Sequence, residues 1–298
     1  MKISVSFELR NIILGVFSYD NIENYVRNEI RAALERASLL KEEQFSPRVL
    51  GFLVKIVVTR GYYMENFGNT FINVLKEYTN ITVRNNGEII IDLEELGKLS
   101  KSINKLILTN VIDDASKKHH WSRTLESLKA LYRGVKKAGS LKLWVDTLYR
   151  LIRSGDRWKS HEYYEGIKGF GRKSAESVLR DVGYFDRVPI DRHERRFQLR
   201  TGIALIYAPL NKDPAQPEFY AEALARYCKE NLKNIELSGV SLELAPGAVD
   251  WAIWVFSCDK KEAKTAGEFV QQVQSVTNAL FAIYVCLTCS IKIQNRDY

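Results

Sequence analysis

Nowhere does the 298-residue chain offer the ~18 uninterrupted apolar residues that a membrane-spanning helix needs. Its opening stretch, Met1-Lys-Ile-Ser-Val-Ser-Phe7, has no apolar signal-peptide core, so the expectation is a soluble, intracellular, cytoplasmic protein without a membrane partner. Proline is scarce, six residues in all, and three of the six fall between Ala208 and Pro217. Long helices can therefore run unbroken elsewhere, and 208–217 reads as a loop. Cysteine is scarcer still: Cys228, Cys258, Cys286 and Cys289. The close-set pair, Cys286 and Cys289, lies in the apolar run Ala279–Ile291, where cysteine serves as a small buried hydrophobe. A four-cysteine metal site would need the two distant cysteines to converge on that pair, so no metal is expected. A disulfide would need an unusual intracellular setting. His119-His120 has no carboxylate or cysteine at ligand spacing and reads as a surface loop pair.

What the chain does have is apolar content, 46% of residues, enough to bury one large core or two modest ones. It also has a lopsided charge. Between Lys117 and Arg200 there are 21 Lys and Arg against 10 Asp and Glu, a net +11, so the rest of a chain of net charge +8 is −3. One basic segment in an otherwise slightly acidic chain points to a polyanion-facing surface more than to an ordinary solvated face.

Apolar periodicity predicts helices over Asn21–Leu39, from Pro47 through the run Val49–Val58, and over Leu93–Leu108, Trp121–Lys137 and Leu141–Arg153. Further helices are predicted over Arg172–Arg180, Arg192–Arg200, Glu218–Leu232 and from Pro246 through Trp254, with another over Phe269–Val285. Ile3–Val16, rich in β-branched and aromatic residues, reads as a short strand or an arm. Ile81–Ile91 reads as a β-hairpin turning at Asn85-Asn86-Gly87. The expected class is mainly α with a small β-hairpin insertion.

The most informative stretch runs from Glu165 to Gly202. Gly169-Phe170-Gly171 suits a turn of positive φ or close backbone approach, and successive amides at a helix start make an anion site. No strand precedes it and no βαβ unit surrounds it, which argues against a dinucleotide loop. Lys173 follows Gly171 by two residues, and Asp191 follows Lys173 by eighteen. With Ile167-Lys-Gly-Phe-Gly-Arg-Lys173, Leu179-Arg-Asp-Val-Gly-Tyr184 and Ile190-Asp-Arg-His193, this stretch resembles the helix-hairpin-helix DNA glycosylases of the endonuclease III superfamily, closest to their archaeal 8-oxoguanine DNA glycosylase/AP lyase branch.

The resemblance implies two helical subdomains flanking a cleft: 1–115 with 205–298, and 116–204 carrying the hairpin motif (165–183) and the catalytic Asp. It implies Lys173 as nucleophile and Asp191 as its carboxylate partner. Lys168, Gly169, Gly171, Arg172, Ser174 and His193 would grip DNA, with a monovalent cation at the hairpin. The partner would be double-stranded DNA with a damaged base, met by a monomer. Arg60, Tyr62 and Tyr63 sit where the family inserts a wedge for the extruded base; a helix cap at Gly61 with two packed tyrosines reads equally well. The Asp250-x-x-Ile253-Trp254 pattern is similar to a helix lining the family's base pocket, while core packing competes for Trp251 and Trp254. Many relatives hold an iron–sulfur cluster on four close cysteines, a pattern this chain lacks. Two alternatives stay open: a glycosylase for oxidised pyrimidines or mismatched bases, and a non-catalytic helix-hairpin-helix DNA-binding protein.

Overall fold

The computed structural model describes residues 4–18, 20–41, 47–58, 71–77, 79–85, 87–108, 115–154 and 171–258. In chain order the helices are α1 (Ser4–Phe17), α2 (Asp20–Lys41), α3 (Pro47–Val58), α4 (Leu93–Leu108), α5 (Ala115–Ala138), α6 (Leu141–Arg153) and α7 (Arg172–Asp181). They continue with α8 (Arg192–Arg200), the single turn α9 (Ile203–Ile206), α10 (Pro217–Asn231) and α11 (Pro246–Cys258). Residues 71–77 are helical as well. Two antiparallel strand pairs complete the described residues: β1 (Thr82–Val83) on β2 (Ile89–Ile90), and β3 (Glu236–Leu237) on β4 (Val240–Ser241). The fold is mainly α with a small β-hairpin. No helix among the described residues is long and apolar enough to cross a membrane.

Ile3–Val16 is not a strand or an arm but most of α1. Ile12, Ile13, Val16 and Phe17 are all buried, and their spacing is that of one helical face. Burial of that face outweighs the local β-propensity. His119 and His120 lie inside α5, which begins at Ala115, rather than in a loop before it.

The chain divides into two compact units, residues 1–31 with 184–298 and residues 32–183, and α2 runs through the division. In the unit of residues 32–183, α3 is apolar on almost every side and buries Val49, Leu50, Leu53, Val54, Val57 and Val58. The β1–β2 hairpin lies directly against it. A Cβ on Gly51 would come within 1.8 Å of the Ile89 carbonyl oxygen, so only glycine lets the strand cross there. The Ile91 amide donates to the Pro47 carbonyl at 3.2 Å, which ties the hairpin to the start of α3. Trp121 on α5 and Trp144 on α6 fill the interior, with Phe71 tilted on Trp121 at 5.7 Å between ring centroids. At the far end Gly183 takes φ +99°, and a Cβ there would meet Ala37 at 2.9 Å. This terminates α7 close against α2, where Arg36 donates to the Asp181 carbonyl at 2.8 Å.

The second unit packs α1, α8, α10 and α11 together. Tyr207 and Tyr227 meet edge to face at 5.6 Å, and the Asn231 amide donates to the Tyr207 hydroxyl at 2.6 Å. Phe197 of α8 stands edge-on to Phe256 of α11 at 6.1 Å. The Gly247 amide donates to the Phe185 carbonyl at 2.8 Å, so the start of α11 is fixed to the segment that leads into Asp191.

Candidate functional site

The sequence-predicted residues fall into three groups. Lys168, Gly169, Arg60, Tyr62 and Tyr63 lie outside the described residues, as do the 269–285 helix, Cys286 and Cys289. The hairpin tip, where the resemblance places a monovalent cation, lies outside them too. Gly171, Arg172, Lys173 and Ser174 belong to the unit of residues 32–183, and Asp191, His193, Asp250 and Trp254 to the other.

Gly171 is the N-cap of α7, with φ −79° and ψ 179°. That is ordinary extended backbone, and a Cβ there would meet nothing within 4 Å. Neither positive φ nor close approach by a described residue explains this glycine, and the rest of the expected turn lies outside the described residues. Lys173, at the second position of α7, is exposed. The helix is held from beneath by Ala175, Val178 and Leu179, all buried at i, i+3, i+4 spacing. Among them sits buried Glu176, which accepts a hydrogen bond from Nε of Arg172 at 3.1 Å. Arg172, a candidate phosphate contact, thus also neutralises a buried carboxylate.

Asp191 is the N-cap of α8. Its Oδ1 accepts from the backbone amides of His193 at 2.7 Å and Glu194 at 3.1 Å, which fixes the carboxylate at the positive end of the helix. His193 is half-buried, and its Nε2 accepts from Nε of Arg192 at 3.4 Å. Arg192, Arg196 and Arg200 are exposed, while Arg195 lies over the Tyr220 ring at 5.4 Å. The α8 segment is therefore a carboxylate set in basic surroundings.

On α11, Trp251 is buried and meets Phe185 edge to face at 6.0 Å, whereas Trp254 is 43% exposed. The two tryptophans do not share a buried face. Asp250 is 2% exposed, and beside it stands Glu194 of α8, which is fully buried. Sequence reasoning missed Glu194 and Gln198. The available signal was their i, i+3, i+4 spacing with Phe197, which places all three on the buried face of α8. Burial first, then the charge and hydrogen bond of Asp250, then the charge of Asp191, push the Glu194 carboxyl well above the usual carboxylate range. Burial and the charge of Glu194 likewise push up the thiol of Cys228 on α10, which stays neutral. Among the described residues no group of three or more His, Cys, Asp or Glu could hold a metal ion.

The chain is similar to a protein of Thermoplasma acidophilum named 8-oxoguanine DNA glycosylase/AP lyase, with 31% identity over 111 residues. The match covers 37% of this chain and 47% of the relative, so it spans about half of that protein's length. No family model matches the chain, and no solved structure matches it.

Proposed function

We propose that this chain is a bifunctional DNA glycosylase/AP lyase that excises a damaged base from double-stranded DNA, with 8-oxoguanine the favoured substrate. The observation that carries this reading is the pair of helix starts: Lys173 in the first turn of α7 and, eighteen residues on, Asp191 capping α8. The partial likeness to an 8-oxoguanine DNA glycosylase/AP lyase supports it.

Cleaving an N-glycosidic bond leaves its electron pair on the departing base and positive charge on the sugar. A carboxylate held at Asp191 would stabilise that charge and orient the nucleophile. The Lys173 Nζ would form the new bond to C1′, and ring opening would give a Schiff base. The iminium acidifies the adjacent C2′ proton, and loss of that proton expels the 3′ phosphate by β-elimination. The reading requires both groups to reach one sugar carbon, and the base must first leave the stack at a cost of a few kcal/mol. Gly171, Arg172, Ser174 and His193, with Lys168 and Gly169, would contact the backbone beside it. The open space at Gly171 suits approach by a phosphate. Trp254 offers an exposed ring on which a base could stack.

Borohydride trapping on duplexes that each carry one lesion tests the reading. The wild-type chain should give a covalent adduct and strand cleavage with 8-oxoguanine. Lys173→Gln should lose both while binding the duplex within about threefold. Adducts of undiminished yield in Lys173→Gln would remove the lysine from its role. Binding without trapping or cleavage on any lesion would leave a DNA-binding module.

A further inference from the structure

Asp191-Arg-His-Glu194 has the spacing of a capping box, in which the third helical residue ordinarily turns its carboxylate back to the backbone amide of the cap. Glu194 does not do this. Its side chain is fully buried, and neither oxygen finds a hydrogen-bond donor among the described residues. Gln198, one turn on and equally buried, faces that carboxyl without a well-aligned hydrogen bond. Across the α8–α11 contact, buried Asp250 lies within hydrogen-bonding reach of Glu194. Two carboxyls can bond to each other only if one of them carries a proton. Two bare carboxylates side by side in a dry interior would be very costly. Among the described residues the groups facing Glu194 are Asp191 and Gln198 from its own segment, Asp250 from α11 and the neutral thiol of Cys228 from α10. None of these is a cation.

We propose that Glu194 and Asp250 hold one proton between them, and that this shared proton positions Asp191 by removing one negative charge from beneath the cap of α8. Glu194 thereby serves Asp191 twice. Its backbone amide donates to the Asp191 carboxylate, and its protonated side chain spares that carboxylate a buried like charge. The role of Glu194 and Asp250 is to position rather than to touch substrate. The functional part of the proposal rests on reading Asp191 as the catalytic carboxylate; the shared proton does not.

A proton bound in the folded chain and released on unfolding gives stability a defined pH dependence. The Glu194 carboxyl is raised, so its contribution is fully present below the ordinary value of 4.5 and is lost as pH rises toward the folded value. The experiment measures unfolding by urea across pH 4 to 9, without DNA, for the full wild-type chain, Glu194→Gln, Asp250→Asn and Asp191→Asn. Within the window, the wild-type folding constant should fall relative to that of Glu194→Gln by about tenfold per pH unit. Asp250→Asn should end the slope at lower pH without abolishing it, because burial still raises the Glu194 carboxyl. Asp191→Asn should keep the slope but end it at lower pH, because the Asp191 charge helps to hold the proton. A ratio independent of pH for both Glu194→Gln and Asp250→Asn would overturn the shared proton. An unmoved end-point in Asp191→Asn would overturn its link to the cap. These readouts do not involve activity. If Lys173→Gln still traps DNA while the slopes behave as expected, the catalytic reading falls and the proton pair stands.

Discussion

Two short basic helices each bury one glutamate, and they satisfy it in opposite ways. In α7, Glu176 lies one turn after Arg172 and takes its guanidinium at 3.1 Å, so a cation travels into the protein with the carboxylate. In α8, Glu194 meets Asp250 instead, and a proton stands in for the cation. The difference follows from the residue four positions upstream in each case. Glu176 has an arginine there, at the unit's surface. Glu194 has Ile190, an apolar residue buried in the approach to Asp191.

The largest expected break in this comparison is Asp191→Asn. Asparagine caps a helix about as well as aspartate, so α8 should stay formed and stability should change by less than ~1 kcal/mol. Base release in single-turnover assays on 8-oxoguanine duplexes should nevertheless slow by orders of magnitude, with DNA affinity retained. Rates equal to wild type would reduce Asp191 to a structural cap. Next in size comes Arg172→Met, which keeps the aliphatic packing of the side chain and removes its charge. It leaves Glu176 buried without its guanidinium and should cost about 3 kcal/mol, read by urea denaturation. Glu176→Gln in the same background should recover most of that loss, because the buried charge is gone. No recovery would mean that Arg172 contributes through packing instead.

The elements of α7 and α8 were legible because local rules agree there. A glycine or aspartate cap and a glycine two residues past the end mark both helices, α7 adds a regular apolar spacing, and α6 and α8 match their predicted bounds. The helix α1 was misread because its β-branched residues carry strand propensity, and only Tyr227 and its neighbours, more than 200 residues away, supply the buried face that decides the matter. The Glu194–Asp250 pair was hidden for a related reason. A glutamate between arginines in Arg192-His-Glu-Arg-Arg196 looks like one charge among many on a solvated helix. Its inward face is marked locally by nothing more than the spacing with Phe197, and its partner depends on where α11 lies, which no local pattern contains. Asp250 sits in an apolar run, Ala248-Val-Asp-Trp-Ala-Ile-Trp254, so its burial could be anticipated even though its partner could not. The fold class followed from periodicity. The site's electrostatics required a contact between residues 56 positions apart.

The smallest expected effect sharpens the comparison by reversing its sign. Glu88 on the β-hairpin accepts from Nε of Arg48 at 2.6 Å and from Arg84 at 3.0 Å, and Arg48 also reaches Glu35 at 2.9 Å. The hydrogen bond from Arg48 holds the Glu88 carboxyl below its ordinary value, the reverse of what burial does to Glu194. Its contribution to stability is therefore present above 4.5 and is lost as pH falls through the lowered folded value. Arg48 and Arg84 are both more than two-fifths exposed, so solvent screens the network and its worth should stay below ~1 kcal/mol. Glu88→Gln should accordingly flatten the acid limb of the urea-unfolding profile slightly and leave the limb above neutrality unchanged. Glu194→Gln should instead flatten the fall in stability that begins above 4.5. A Glu88→Gln variant that altered the alkaline limb would show that the hairpin network and the carboxyl pair are not independent. The pH dependence could then no longer be divided between one surface cation network and one buried proton.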